Sequence, residues 1–316
     1  MDFSLFFQNC MIAAQQVLIL YVIVACGYIA DKKGVFTEKT ARATNDLLFY
    51  IITPAVIINS FLTTEFNSDT SKGFLLAAFA SAVTHILGIV LSIPFFRNNE
   101  NKNNAVFKFA CIYGNMGYMA LPLAEAVLGS EGVFYCSSGI IVFQIFTFTH
   151  GVWQMNRGNT DSGKFDPKKL FFNPGVIAVC IGLPFFLLKI KLPEVIVKPI
   201  DFVGSMNTPL AMLMLGTYMS NAGLKTIFKN KEQYLVALVK IIAVPVAFFI
   251  LMKTTGLLTG ALFTAAMIQS SAPSANNTVM FAAKYGRDTG VASKTVAFVS
   301  FASILTMPVM IALTQV

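Results

Sequence analysis

The sequence predicts an all-α integral membrane protein with about ten transmembrane helices, and three observations carry that expectation. Hydrophobic residues fill 56% of the 316 positions and only 12% are charged. The mean hydropathy is +0.69, well outside the soluble range. Apolar stretches of about 20 residues, each able to cross a hydrocarbon core of roughly 30 Å, recur along the whole chain. No stretch longer than about 20 residues remains for a soluble domain.

Taken in order, the expected spans cover approximately 11–31, 44–62, 73–96, 104–128 and 131–155, then 174–190, 198–220, 233–253, 257–284 and 289–313. The start, Met1-Asp2-Phe3, lacks the basic region and small-residue cleavage site of a secretory signal, so the first run is expected to stay as a permanent helix. The longest polar connection, Asn156 to Lys169, is rich in Gly, Asn, Asp, Ser and Pro. It divides the chain into a first five-helix half, 1–155, a cytoplasmic linker, 156–170, and a second five-helix half, 171–316. Cys10, Cys26, Cys111, Cys136 and Cys180 are scattered through apolar runs without a CxxC pair and read as small buried hydrophobes. The net charge of +8 sits in short loops rather than along one face, which speaks for membrane orientation and against nucleic acid.

Charge placement sets the topology. The connections after spans one, three, five, seven and nine hold 17 of the 23 Lys and Arg, and the opposite side holds five. The basic side is cytoplasmic by the positive-inside rule, which puts both termini outside a cell (plasma or inner) membrane. Five spans per half, an odd number, orient the halves oppositely and so predict an inverted repeat. Thr53-Pro54 in span two and Thr208-Pro209 in span seven stand 155 residues apart, and the glycine-containing turns closing spans four and nine agree with that offset within two residues.

Spans four and nine hold the chemistry. Gly114-Asn115-Met116-Gly117-Tyr118-Met119-Ala120-Leu121-Pro122 and Gln269-Ser270-Ser271-Ala272-Pro273-Ser274-Ala275-Asn276-Asn277 are small, polar, helix-breaking runs at mid-depth. Gly is flexible, Pro removes a donor, and Ser or Asn offers the backbone substitute partners. Unwound backbone at that depth is tolerated only around a protein-lined cavity. Two such breaks in corresponding helices of inverted halves point to a transport site at the midplane. Half-helices starting near Leu121 and Ser274 would aim their N-terminal amides, each end worth roughly half a positive charge, at a carboxylate. Asn115, Gln269, Ser271, Asn276 and Asn277 add side-chain donors. The competing reading is that these groups only satisfy broken backbone or join helices.

At these residues a resemblance becomes specific. Asn115 with Pro122, the run QSSAPSANNTVMFAAKY from Gln269 to Tyr285, and Gly204 to Gly216 resemble the fourth, ninth and seventh helices of the auxin efflux carrier family. That resemblance implies two inverted five-helix repeats, a scaffold and a transport domain, and broken helices four and nine crossing at the substrate site. It further implies a homodimer and, because the central loop is short, a bacterial permease for malate, malonate or related organic anions. Carried over by position, Asn115 is the carboxylate contact, with Met116 and Gly117 beside it. Pro122 and Pro273 are the crossover prolines, and the segment around Pro54 walls the pocket. Ser274, Asn276 and Asn277 are more polar than in the plant carriers, which favours small dicarboxylates over an indole acid.

Coupling candidates are few. His85 and Lys240 share the 155-residue offset, and membrane-buried ionisable groups are usually functional; a hydrogen-bonded neutral His and a snorkelling Lys are the alternative. Glu125, after the span-four break, reads as an ion ligand or an external-face residue. His150 and Asp201 fall near span ends. HExxH, GxSxG and Walker patterns are missing and the two histidines stand 65 residues apart, which speaks against an enzyme, a metal site or a cofactor. A sodium symporter of the bile-acid type and a ligand-binding membrane sensor or channel remain as alternatives. The former has only Glu125, Gln144 and Gln269 to offer a cation.

Overall fold

The computed structural model describes residues 3–97, 103–157, 172–221, 228 and 230–314, so most of the expected linker lies outside the described residues. Every regular element among them is a helix. The first half contains α1 (Phe3–Lys32), α2 (Glu38–Thr63), α3 (Ser68–Ser92), α4 (Asn104–Ile112) and α5 (Met116–Asn156). The second contains α6 (Pro174–Leu187), α7 (Glu194–Ser205), α8 (Asn207–Asn221), α9 (Lys231–Thr255), α10 (Gly260–Ser271), α11 (Asn277–Lys284) and α12 (Thr289–Leu313). Of these, α2, α3, α5, α9 and α12 are long and apolar enough to cross a membrane.

Helix starts follow polar caps. Asn67 Oδ1 accepts from the Asp69 and Thr70 amides while Thr70 Oγ1 accepts from the Asn67 amide, a reciprocal box that satisfies otherwise orphaned donors. Asn173 caps α6 in the same way, accepting from Gly175 and Val176. Proline shapes the interiors. In α2, α5 and α9 a widened π turn ends two residues before Pro54, Pro122 and Pro245 respectively. A proline lacks the amide and crowds the carbonyl one turn back, and a widened turn relieves both.

The helix α5 is two arms. Gly129 has φ 64° and ψ −151°, a conformation open to glycine at little cost. Beyond it Gly132 folds back so closely that a Cβ there would lie 2.6 Å from the Ala124 carbonyl oxygen. In an uninterrupted helix those residues would be about 12 Å apart. The arm 116–128 therefore doubles back into 130–156.

Glycines also set which helices lie side by side. A Cβ on Gly216 would lie 2.0 Å from the Val24 carbonyl oxygen and one on Gly27 2.2 Å from that of Leu213, so α1 and α8 meet backbone to backbone. Thr217 donates to the Phe36 carbonyl and Asn221 to Asp31, which puts their C-terminal ends together and makes the pair parallel. In α2 and α6, Gly182 packs on Phe61 and Gly175 near Ile57, a second parallel pair. Aromatic rings of Phe61, Phe74, Phe134 and Phe186 interlock beside it.

Candidate functional site

Two chain breaks cross each other at the centre of the molecule. Between α4 and α5 the backbone leaves the helix at Tyr113, and between α10 and α11 it does so over residues 272–276. Gly114 and Ser274 pair as an isolated antiparallel bridge. The Asn115 amide donates to the Pro273 carbonyl at 2.7 Å and the Ala275 amide to the Tyr113 carbonyl at 2.9 Å. Each break thus satisfies the other's backbone, as an unwound segment away from water requires. Ser274 Oγ donates to the Ala110 carbonyl at 2.8 Å and satisfies an acceptor in the last turn of α4.

The helices after the breaks begin where the crossing ends. Asn115 is the N-cap of α5, its Oδ1 accepting from the Tyr118 amide at 3.2 Å, and its carbonyl accepts from Met119 and Ala120. The start at Met116 is five residues before Leu121, because the side-chain cap and the widened turn extend the helix back past Pro122. Conversely, α11 starts at Asn277 rather than Ser274, since the crossing holds residues 273–275 extended or bent.

An open cleft lies against both starts. Of the sequence-derived candidates, Asn115, Met116, Gly117, Asn276 and Asn277 line it. A Cβ on Gly117 would meet nothing within 4 Å, so the backbone there faces open space. Asn115 is only 3% exposed, and its Nδ2 is buried without a partner among the described residues.

The remaining candidates sit elsewhere. Pro54 is not on the wall, but its neighbour Thr53 is, donating to Asn207 Oδ1. Pro122 is buried in the second turn of α5, and Pro273 contributes its carbonyl to the crossing. Ser271 Oγ bonds back to the Met267 carbonyl at 2.8 Å, a local helix contact. Gln269 points away from the cleft and packs on Gly139, where a Cβ would collide with its Oε1. Sequence reasoning did not place Phe49, Tyr118, Phe143 or Asn173 on the wall and considered Gln144 only as a cation ligand; all five line it. The one available signal was that Gln144 is a lone amide in an apolar run.

The coupling candidates lie off the cleft. Lys240, fully buried in the π turn of α9, donates to the Ser270 carbonyl at 3.4 Å. A Cβ on Gly114 would lie 3.1 Å from its Nζ, so the ammonium backs directly on the crossing. His85, also fully buried, sets Nδ1 2.7 Å from the Ser81 carbonyl, which assigns the proton to that nitrogen, and leaves Nε2 without a partner among the described residues. Its ring stacks on Phe146. Glu125 Oε2 accepts from Thr208 at 2.9 Å and lines a separate cavity with Asp201, to which Asn59 donates.

Comparison with known proteins agrees along nearly the whole chain. A model of the family described as "Membrane transport protein" matches residues 12–311. A protein of Methanocaldococcus jannaschii named "Uncharacterized transporter" is 26% identical over 293 residues, covering 88% of this chain and 91% of its own length. One of Rhizobium meliloti named "Putative malonate transporter" is 22% identical over 304 residues, covering 92% of each.

Proposed function

The chain belongs to the membrane transport protein family, the auxin efflux carrier family of the sequence resemblance, and on that premise we propose that it is a secondary carrier of small organic anions. The substrates are mono- or dicarboxylates such as malonate or malate, moved by alternating access. One observation carries the reading: the N-termini of α5 and α11 converge on one cleft whose wall holds the unpartnered amide of Asn115 and no carboxylate among the described residues. Helix N-termini present free amide donors and partial positive charge, so an anion is the ligand they favour. The relative named for malonate transport supports the substrate class.

The proposed architecture is ten spans in two inverted halves, 1–155 and 171–316, joined by the linker 156–170 inside the cell, with both termini outside. Its support is the pair of parallel packings described above, α1 with α8 and α2 with α6. In ten-span numbering these join one to seven and two to six, and exchanging the halves converts each pair into the other. The cleft sits where the two breaks supply similar half-walls, so interchanging their conformations would open the opposite side. The proposal extends to a homodimer in the cell membrane, which the family resemblance supports.

Sodium coupling of the bile-acid type is disfavoured because its three candidate ligands lie apart: Glu125 lines a separate cavity, Gln144 lines the cleft, and the Gln269 amide packs on Gly139. Transport is instead driven by the anion's charge or by protons. Each elementary charge crossing 100 mV changes the free energy by about 2.3 kcal/mol. Malonate flux in proteoliposomes is therefore expected to follow an imposed potential or pH gradient without sodium. Strict sodium dependence would overturn the coupling assignment. Unsaturable flux at channel rates would overturn alternating access, and binding without any flux would make the protein a sensor.

A further inference from the structure

Resting on the anion-carrier reading of the cleft, we infer that the site has a second station, formed by Gln144, Asn173 and the N-terminus of α6, which takes the other carboxylate of a short dicarboxylate. The crossing already equips one end of the cleft with the starts of α5 and α11 and with Asn115. A single carboxylate accepts about four hydrogen bonds at most, and these groups are sufficient for it. Yet the wall carries further polar groups that the crossing does not use.

Gln144, on the second arm of α5, is 6% exposed and lines the cleft between the apolar side chains of Ile140 and Phe143. Its side-chain amide makes no hydrogen bond among the described residues. Its amide atoms are not among the fully enclosed ones, so they are open to the cleft and available to a ligand. Asn173 is also 6% exposed and lines the cleft. Its Oδ1 is used twice, by the Gly175 and Val176 amides. Its Nδ2 has no such partner among the described residues and remains a donor. Gly175 lines the cleft beside it, so a third helix start, that of the 14-residue α6, directs its positive end to the same space.

Two groups of neutral donors backed by helix starts, on a wall that also carries Phe49, Ile140 and Phe143, match a ligand that is anionic at both ends and apolar in its short middle. A monocarboxylate would leave the Gln144 and Asn173 amides to water, so only a ligand with a second carboxylate gains their hydrogen bonds.

The test is direct binding to the purified full-length protein, with malonate and succinate compared against acetate and propionate, for wild type, Gln144→Leu and Asn173→Asp. Leu removes the amide at similar size. Asp keeps the Oδ1 cap of α6 but replaces the free donor with a negative charge, so loss of the helix cap does not confound it. Each variant should weaken dicarboxylate binding by about tenfold or more and leave monocarboxylate binding within about twofold. Equal weakening for both ligand classes, or unchanged dicarboxylate binding in both variants, overturns the second station while the carrier reading stands. If wild type binds no carboxylate of either class, the carrier reading itself fails and the second station with it.

Discussion

Replacing Asn115 by Asp separates the two jobs that one side chain performs. Its Oδ1 caps α5 by accepting from the Tyr118 amide at 3.2 Å, while its buried Nδ2 has no partner among the described residues and the residue lines the cleft. Asp retains the capping oxygen, and a negative charge at a helix start is itself favourable by about 0.3–1 kcal/mol. That gain offsets part of the cost of burying the new charge, so folding stability should hold rather than rise. The donor, however, becomes an acceptor carrying the same charge as the substrate. Loss of one hydrogen bond to a charged group is worth about 1.5–3 kcal/mol, or roughly ten- to a hundredfold in affinity, and repulsion adds to it. Asn115→Ala should show the complementary pattern, with stability lower by about 1 kcal/mol through the lost cap and anion affinity lower by about tenfold. Isothermal titration with malonate, paired with denaturation of the unliganded protein, reads both quantities. If Asn115→Asp binds malonate as tightly as wild type, the amide does not contact the anion and the assignment of the cleft fails at its central residue.

Other consequences follow from single contacts. Lys240→Met removes a fully buried ammonium whose one hydrogen bond among the described residues is long, at 3.4 Å; replacing a buried charge with an apolar group of similar volume is often neutral or stabilising by about 1–4 kcal/mol. The melting temperature should hold or rise while malonate flux is lost, and retained flux would remove Lys240 from the mechanism. Gly216→Val places a side chain 2.0 Å from the Val24 carbonyl, where backbone cannot yield, and should destabilise the α1–α8 pair by about 1–3 kcal/mol or more in a denaturant titration. Gly117→Ala meets nothing within 4 Å, so it should leave stability unchanged yet weaken binding by narrowing the cleft; intact binding would show that the anion does not approach this turn. Cysteine-accessibility labelling of single-cysteine variants should find positions 34 and 66 on opposite sides of the membrane, with 34 inside; labelling of both from one side would contradict the proposed topology.

Much of the site was legible because its chemistry breaks a rule of the surrounding chain. Gly, Pro, Ser and Asn clustered within apolar runs mark Gly114 to Pro122 and Gln269 to Asn277 as interruptions, and both interruptions are where the backbones cross. Asn115 was identifiable for the same reason. Its capping role was not read, because the half-helix was expected to start near Leu121 rather than at Met116. Ser271, Ser274 and Gln269 looked as well suited to bind a ligand as Asn276 and Asn277. Within a broken helix the 3.6-residue period no longer fixes which way each side chain points. Ser274 turned back to close the end of α4, and Ser271 bonded to its own helix.

Composition and pattern placed this chain in apolar surroundings and marked the two stretches where its helices must come apart. Those features depend on composition, local caps and the conformational limits of Gly and Pro, all of which act within a few residues. The tertiary structure alone decided the cleft wall. Gln144 and Asn173 stand 29 and 58 residues beyond Asn115 in the chain, and they reach one space because Gly129 folds α5 back on itself and α6 packs along α2. The depth of Lys240 was decided in the same way, by the approach of α9 to Gly114. Rotation of a helix about its axis is set by which neighbour its glycines admit, and that is a property of pairs of helices that no single stretch of sequence contains.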